Sequence, residues 1–175
     1  MGRHRDIDPA RIRWRGDRET RRQSLGPRVG TLRVPVPADL AAAGNGDREV
    51  LVADVLDDAA GNNATGRTAR GLWWFAEPRD SALPAAKLTA QVVPASADND
   101  GTSAEVRVTA GTLVRDLTLL VDALDPAAAV DSGLVTLFPG ESHTFRISGV
   151  DGAVLTPAAV LAPEVARSGN QLVSR

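Results

Sequence analysis

Leu113-Val-Arg-Asp-Leu-Thr-Leu-Leu120, the turn-rich Asp125-Pro-Ala-Ala-Ala-Val-Asp-Ser-Gly133, and Leu134-Val-Thr-Leu-Phe-Pro-Gly-Glu-Ser-His-Thr-Phe-Arg-Ile147 decide the fold. Apolar and polar residues alternate in the first and last of these, the period of a strand with one buried face. Pro139-Gly140 interrupts the last. Proline presets φ for the first turn position and glycine takes positive φ at the next, as a type II turn requires. The expectation is a tight turn pairing Leu134–Phe138 with His143–Ile147. Leu113, Leu117, Leu119, Leu134, Leu137 or Phe138, Phe145 and Ile147 are expected in the core, and a one-residue slip in register would exchange the faces.

Working outward, Lys87–Val93 and Ser103–Thr109 read as two more strands of the same set, with Asp98–Gly101 as a turn. Short strands separated by turns indicate an antiparallel sandwich. Ala158–Val165 reads as a strand or a short helix, with Pro157 and Pro163 against a long one. Upstream, Glu49–Leu56 is an apolar run best read as a buried strand, and Thr68–Phe75 is another, ended by Glu77-Pro78. Gly30–Val36 alternates, and Pro35 puts it at an edge or at its end. A helical turn fits Ala38–Ala43.

Residues 1–28 differ from the rest. They hold nine of the chain's 20 basic residues, all arginine, and four of its 22 acids. Their large apolar groups are sparse and follow no period, so they read as a disordered basic arm. The sequence therefore gives an all-β chain: an immunoglobulin-like antiparallel β-sandwich at 86–175, a partial second sandwich at 29–80, and the arm at 1–28.

Composition excludes several classes. Cysteine is absent, which removes disulfides and thiolate metal sites. No run approaches the roughly 20 apolar residues of a membrane span. The start lacks a signal-peptide core, so a cytoplasmic location and no membrane partner are expected. His4 and His143 are the only histidines, and neither has metal-ligand company, so no metal or cofactor is expected. Clustered arginine can grip phosphate, but only Trp14 offers stacking and no nucleic-acid fold follows, so no nucleic-acid partner is expected. Arg15-Gly16-Asp17 is a chance tripeptide.

Several stretches resemble one family. Leu72-Trp-Trp-Phe-Ala-Glu-Pro-Arg-Asp80, Leu83-Pro84 and Lys87-Leu-Thr-Ala90 are similar to the junction between the last two domains of β-mannosidases of glycoside hydrolase family 2. Val114-Arg-Asp-Leu-Thr-Leu119, Val130-Asp131 and Leu134-Val-Thr-Leu-Phe-Pro-Gly-Glu141 resemble their C-terminal immunoglobulin-like domain. In that family the last strand ends in Leu-Leu-Pro-Gly-Glu; here Phe138 replaces the second Leu. Ser132-Gly133 stands where Asn and an aromatic are common. The resemblance spans 29–175. It implies a region beside a (β/α)₈ barrel that carries the two catalytic glutamates. Such a barrel takes about 250 residues, more than the 175 here. No catalytic residue carries over.

A retaining glycosidase needs two carboxylates about 5 Å apart. Glu49 and Glu105 lie in alternating strands and are expected to be solvated. Glu77 and Glu141 flank proline turns, and Glu19 and Glu164 complete the set, so no catalytic pair is assigned. Ser142, His143 and Asp131 can be assembled into a hydrolase-like set, but adjacent strand residues point to opposite faces. Trp73-Trp74-Phe75 is the candidate contact surface, with Trp73 and Phe75 on one strand face and Trp74 on the other. It serves either packing against a neighbouring domain or stacking on a sugar. The expected function is a non-catalytic accessory region of a β-mannosidase-like enzyme, with a glycoside hydrolase barrel domain or subunit as partner. The alternative is a carbohydrate-binding module with a glycan on Trp73–Phe75, and the last is a self-sufficient hydrolase.

Overall fold

The computed structural model describes residues 5–13, 18–20, 23–25, 35–57, 67–94, 103–150 and 154–172, with side chains described at 35–55, 69–93, 103–150 and 154–172. The chain is all-β with antiparallel sheets and divides into two compact units, Met1–Ala82 and Leu83–Arg175.

The first unit holds one sheet. Strands β1 (Arg5–Arg13), β2 (Arg18–Thr20), β3 (Gln23–Leu25), β4 (Glu49–Asp57) and β5 (Arg67–Trp74) run in the order β2-β1-β4-β5, with β3 also on β1. The expected disordered arm is thus corrected. All nine residues of β1 pair with β4, from Arg5↔Asp57 to Arg13↔Glu49. The arm supplies strands that 29–80 lacked. Pairing is made by backbone groups, which hydropathy does not register. β2 and β3 share one register on β1, Ala10↔Thr20 and Arg5↔Leu25.

β4 and β5 follow the expected strands. Val50↔Trp74, Val52↔Leu72 and Asp54↔Arg70 are paired in register, so they share a face. Val50, Val52 and Asp54 are buried there, with Leu40 of the short helix α1 (Ala38–Ala41) also buried. Arg70 grips Asp54 with two hydrogen bonds, Nε to Oδ1 at 2.6 Å and Nη2 to Oδ2 at 2.9 Å. This fork lets a carboxylate sit on an inner face, because each charge is paired where water is scarce. Of the expected strand Gly30–Val36, residues 30–34 lie outside the described residues, and Pro35-Val36 has no regular structure.

The second unit is a sandwich of a four-stranded and a three-stranded sheet. β6 (Leu88–Pro94), β7 (Ser103–Ala110), β9 (Ala129–Val130) and β11 (Ser142–Ser148) run in the order β6-β7-β11-β9. β8 (Val114–Leu119), β10 (Val135–Leu137) and β12 (Ala166–Arg167) form the second sheet, order β10-β8-β12. The expected Asp98–Gly101 turn lies outside the described residues. Four plus three strands is the division of a constant-type immunoglobulin domain. Both sheets feed one core: Val106 and Val108 from β7, Phe145 and Ile147 from β11, Val114, Leu117 and Leu119 from β8, Leu137 from β10. Each side chain buried in full contributes about 1.5–3 kcal/mol. Ala158–Val165 resolves to the helix α2 (Pro157–Val160), with Thr156 as N-cap accepting from Ala159 N, and buries Val160.

Two expectations about this core change. The inward residues of β8 are Val114, Leu117 and Leu119, a step of three and then two. Val114 and Leu117 oppose Leu137 and Val135, so β8 spends an extra residue there, a β-bulge. Asp116 absorbs it with φ +56, a conformation Asp tolerates. Leu113 is buried just before the strand. Leu134 is not in the core. It sits at φ +54, donates its N–H to Thr118 Oγ1 and is 73% exposed.

Pro139-Gly140 is a turn, but not a hairpin. Gly140 has φ +85 and Glu141 N–H bonds Phe138 O at 2.9 Å, the type II pattern. β10 then pairs with β8, whereas β11 pairs with β7 and β9. The turn carries the chain from one sheet to the other. It is tied to the end of β7 by Gly140 N–H to Ala110 O (2.7 Å) and Ala110 N–H to Glu141 O (2.9 Å).

The C-terminal segment is fixed by Asn170. Its Oδ1 accepts from Arg115 N (2.9 Å), and its Nδ2 donates to Pro84 O and Leu113 O (2.8 Å each). Replacing Asn170 with Ala leaves three backbone groups without this partner. It should cost about 2–4 kcal/mol, given about 1–3 kcal/mol per unsatisfied buried group and partial rescue by water. An unchanged denaturant midpoint would contradict this role. Two glycines give a paired test. A Cβ on Gly149 (φ +73) would clash with Ala127 O, whereas one on Gly140 meets nothing within 4 Å. Gly140→Ala should cost about 1–2 kcal/mol from the left-handed backbone alone. Gly149→Ala should cost more, about 3 kcal/mol or above, because backbone must also move. Urea melts of the two variants check the order; equal midpoints would contradict it.

Candidate functional site

The structure separates the three aromatic residues. Trp74 shares the inner face with Val50 and is partly buried. Trp73 pairs with Leu51 on the outer face and is 66% exposed. Phe75 lies past the end of β5 and is partly buried, with its Cβ close to where a Cβ on Gly46 would stand. Around Trp73 the outer face is apolar: Leu51, Ala53 and Val55 on β4, Ala69 and Gly71 on β5. Strand alternation produces this, since Leu51, Ala53 and Val55 alternate with the inward residues of β4, as Ala69, Gly71 and Trp73 do on β5.

The carboxylates serve the fold. Glu49 was expected to be solvated, yet it is 1% exposed, and its Oε2 accepts from Gly44 N at 2.9 Å. It opens β4 and draws in the preceding loop, because a buried carboxyl needs a hydrogen-bond partner and the Gly44 N–H provides one. Glu105 is solvated as expected and pairs with Arg146 across β7 and β11, Nε to Oε1 at 3.2 Å. Glu141 accepts from Phe138 N at 3.1 Å and so closes the Pro139-Gly140 turn from within. Glu77 and Glu164 are exposed, and the side chain of Glu19 lies outside the described residues. Among the described residues no three His, Cys, Asp or Glu side chains are arranged to hold a metal ion, and no helix is long and apolar enough to cross a membrane.

Around His143 the structure assembles a different set from the one the sequence suggested. Ser142 Oγ bonds Thr109 Oγ1 at 2.7 Å, in register across β7 and β11. It is Ser132 that reaches His143, Oγ to Nε2 at 3.0 Å, and Ser132 Oγ also donates to Asp131 Oδ1 at 2.9 Å. Asp131 Oδ1 accepts in addition from Arg146 N at 3.1 Å, and Asp131 N donates to Arg146 O. Serine is therefore the middle member. Its single proton goes to the carboxylate, so His143 Nε2 must donate to Ser132 Oγ rather than accept from it. A nucleophilic serine needs the opposite: a base that takes its proton, oriented by a third group. The arrangement extends β9 by one residue along β11 and caps the rim of the core, where the His143 ring meets Phe145 edge-on at 4.6 Å. Sequence spacing could not find Ser132, because the loop after β9 brings it to β11.

The Arg146 amide beside Asp131 holds its carboxyl below the usual carboxylate range, outweighing partial burial, with Ser132 and the charges of His143 and Arg146 adding to it. A depressed folded pKa stabilises the fold above the unfolded value of about 3.9. That contribution is lost as pH falls through the folded value. Asp131→Asn should therefore be less stable than the parent at pH 7, with the gap narrowing as pH falls below the unfolded carboxylate value. A gap independent of pH, read from melts at pH 7 and pH 2.5, would show that the charge plays no part.

Sequence comparison with protein families and with curated proteins gives no match. In fold, the chain is similar to the crystal structure of an exo-chitosanase from Amycolatopsis orientalis, with a TM-score of 0.54 and 15% sequence identity. The likeness covers 97% of this chain and 23% of that one. The chain thus spans under a quarter of the length of the structure it matches, and what the two share is the fold.

Proposed function

We propose that this chain is a non-catalytic accessory β-sandwich region of a β-mannosidase-like glycoside hydrolase, acting beside a barrel domain or subunit that carries the catalytic glutamates. The observation that supports this reading is the fold likeness across 97% of the chain to a small part of a much longer exo-chitosanase. The side chains add to it. Glu49, Glu105 and Glu141 are each committed to a loop, an ion pair or a turn. The serine beside His143 gives its proton to Asp131. A barrel-coding frame next to this gene is expected, and a genome without one would remove the partner this reading needs.

The purified chain should leave aryl β-mannosides and chitosan oligosaccharides unhydrolysed. Turnover that co-purifies with it and disappears when Glu49, Glu77, Glu105, Glu141 or Glu164 is changed to Gln would overturn the non-catalytic reading.

The exposure of Trp73 favours one second reading, a carbohydrate-binding module in which the indole stacks on a sugar ring. The two separate by titrating mannan and chitosan oligosaccharides while following tryptophan fluorescence. The accessory reading expects no saturable change. Saturable binding abolished by Trp73→Ala would establish the binding module instead. Trp73→Ala should change stability by no more than about 0.5 kcal/mol, because the side chain is mostly in water.

A further inference from the structure

We draw no further inference here: the strongest candidate, the apolar outward face of the β4–β5 sheet around Trp73, with Leu51, Ala53, Ala69 and Gly71, carries nothing because no feature among the described residues shows what would dock there beyond the sugar contact already weighed.

Discussion

The second unit depends on the crossing at Pro139-Gly140. A sandwich needs two sheets that share one chain, and here a four-residue turn moves the chain between them. The proline fixes its first φ, the glycine supplies φ +85, and Glu141 holds the turn from inside through Phe138 N. Two further hydrogen bonds hang it on Ala110, the last residue of β7. Because β10 goes to β8 and β11 goes to β7, Leu137 and Phe145 reach one core from opposite sides. A hairpin at the same place would put both in one sheet and leave the other sheet without β10, its edge strand.

The irregular residues follow from that crossing. β10 is only three residues long, and it meets β8 across a bulge. Asp116 and Leu134 take left-handed backbone on either side of it, and the hydroxyls of Thr136 and Thr118 accept from their N–H groups. Threonine side chains here replace ladder bonds that the bulge displaces. At the start of β8, Asn170 does the same for Arg115 N and Leu113 O. Strand β8 is thus the central strand of its sheet and the least regular one.

Much of this was legible in the sequence, for physical reasons. Period-two alternation located β7, β8 and β11, since one buried face imposes it, and a continuous apolar run located β4. Phe145, Ile147, Leu117 and Leu119 were identified as core for that reason. Leu134 failed because alternation assumes uniform extended backbone, and a single left-handed residue rotates the side chain outward. Val114 was missed because the bulge shifts the phase by one. The strands within 1–28 escaped because β1 finds its long partner, β4, only at Glu49–Asp57, and because their arginines mask any apolar period. Of the candidate contact surface, the opposite facing of Trp73 and Trp74 was readable from strand alternation, whereas which of them is outward was not. The Asp131–Ser132–His143 set was not, because it depends on where a loop lands.

The crossing can be tested by hydrogen exchange. In a two-residue hairpin turn the amide at the second central position has no partner. Here Gly140 N–H donates to Ala110 O at 2.7 Å. Backbone amide exchange should show Gly140 protected together with Ala110, and nuclear Overhauser contacts should link Leu137 to Val114. Exchange of Gly140 at the free-peptide rate, with Leu137 contacts running to β11 instead, would contradict the two-sheet topology on which this account rests.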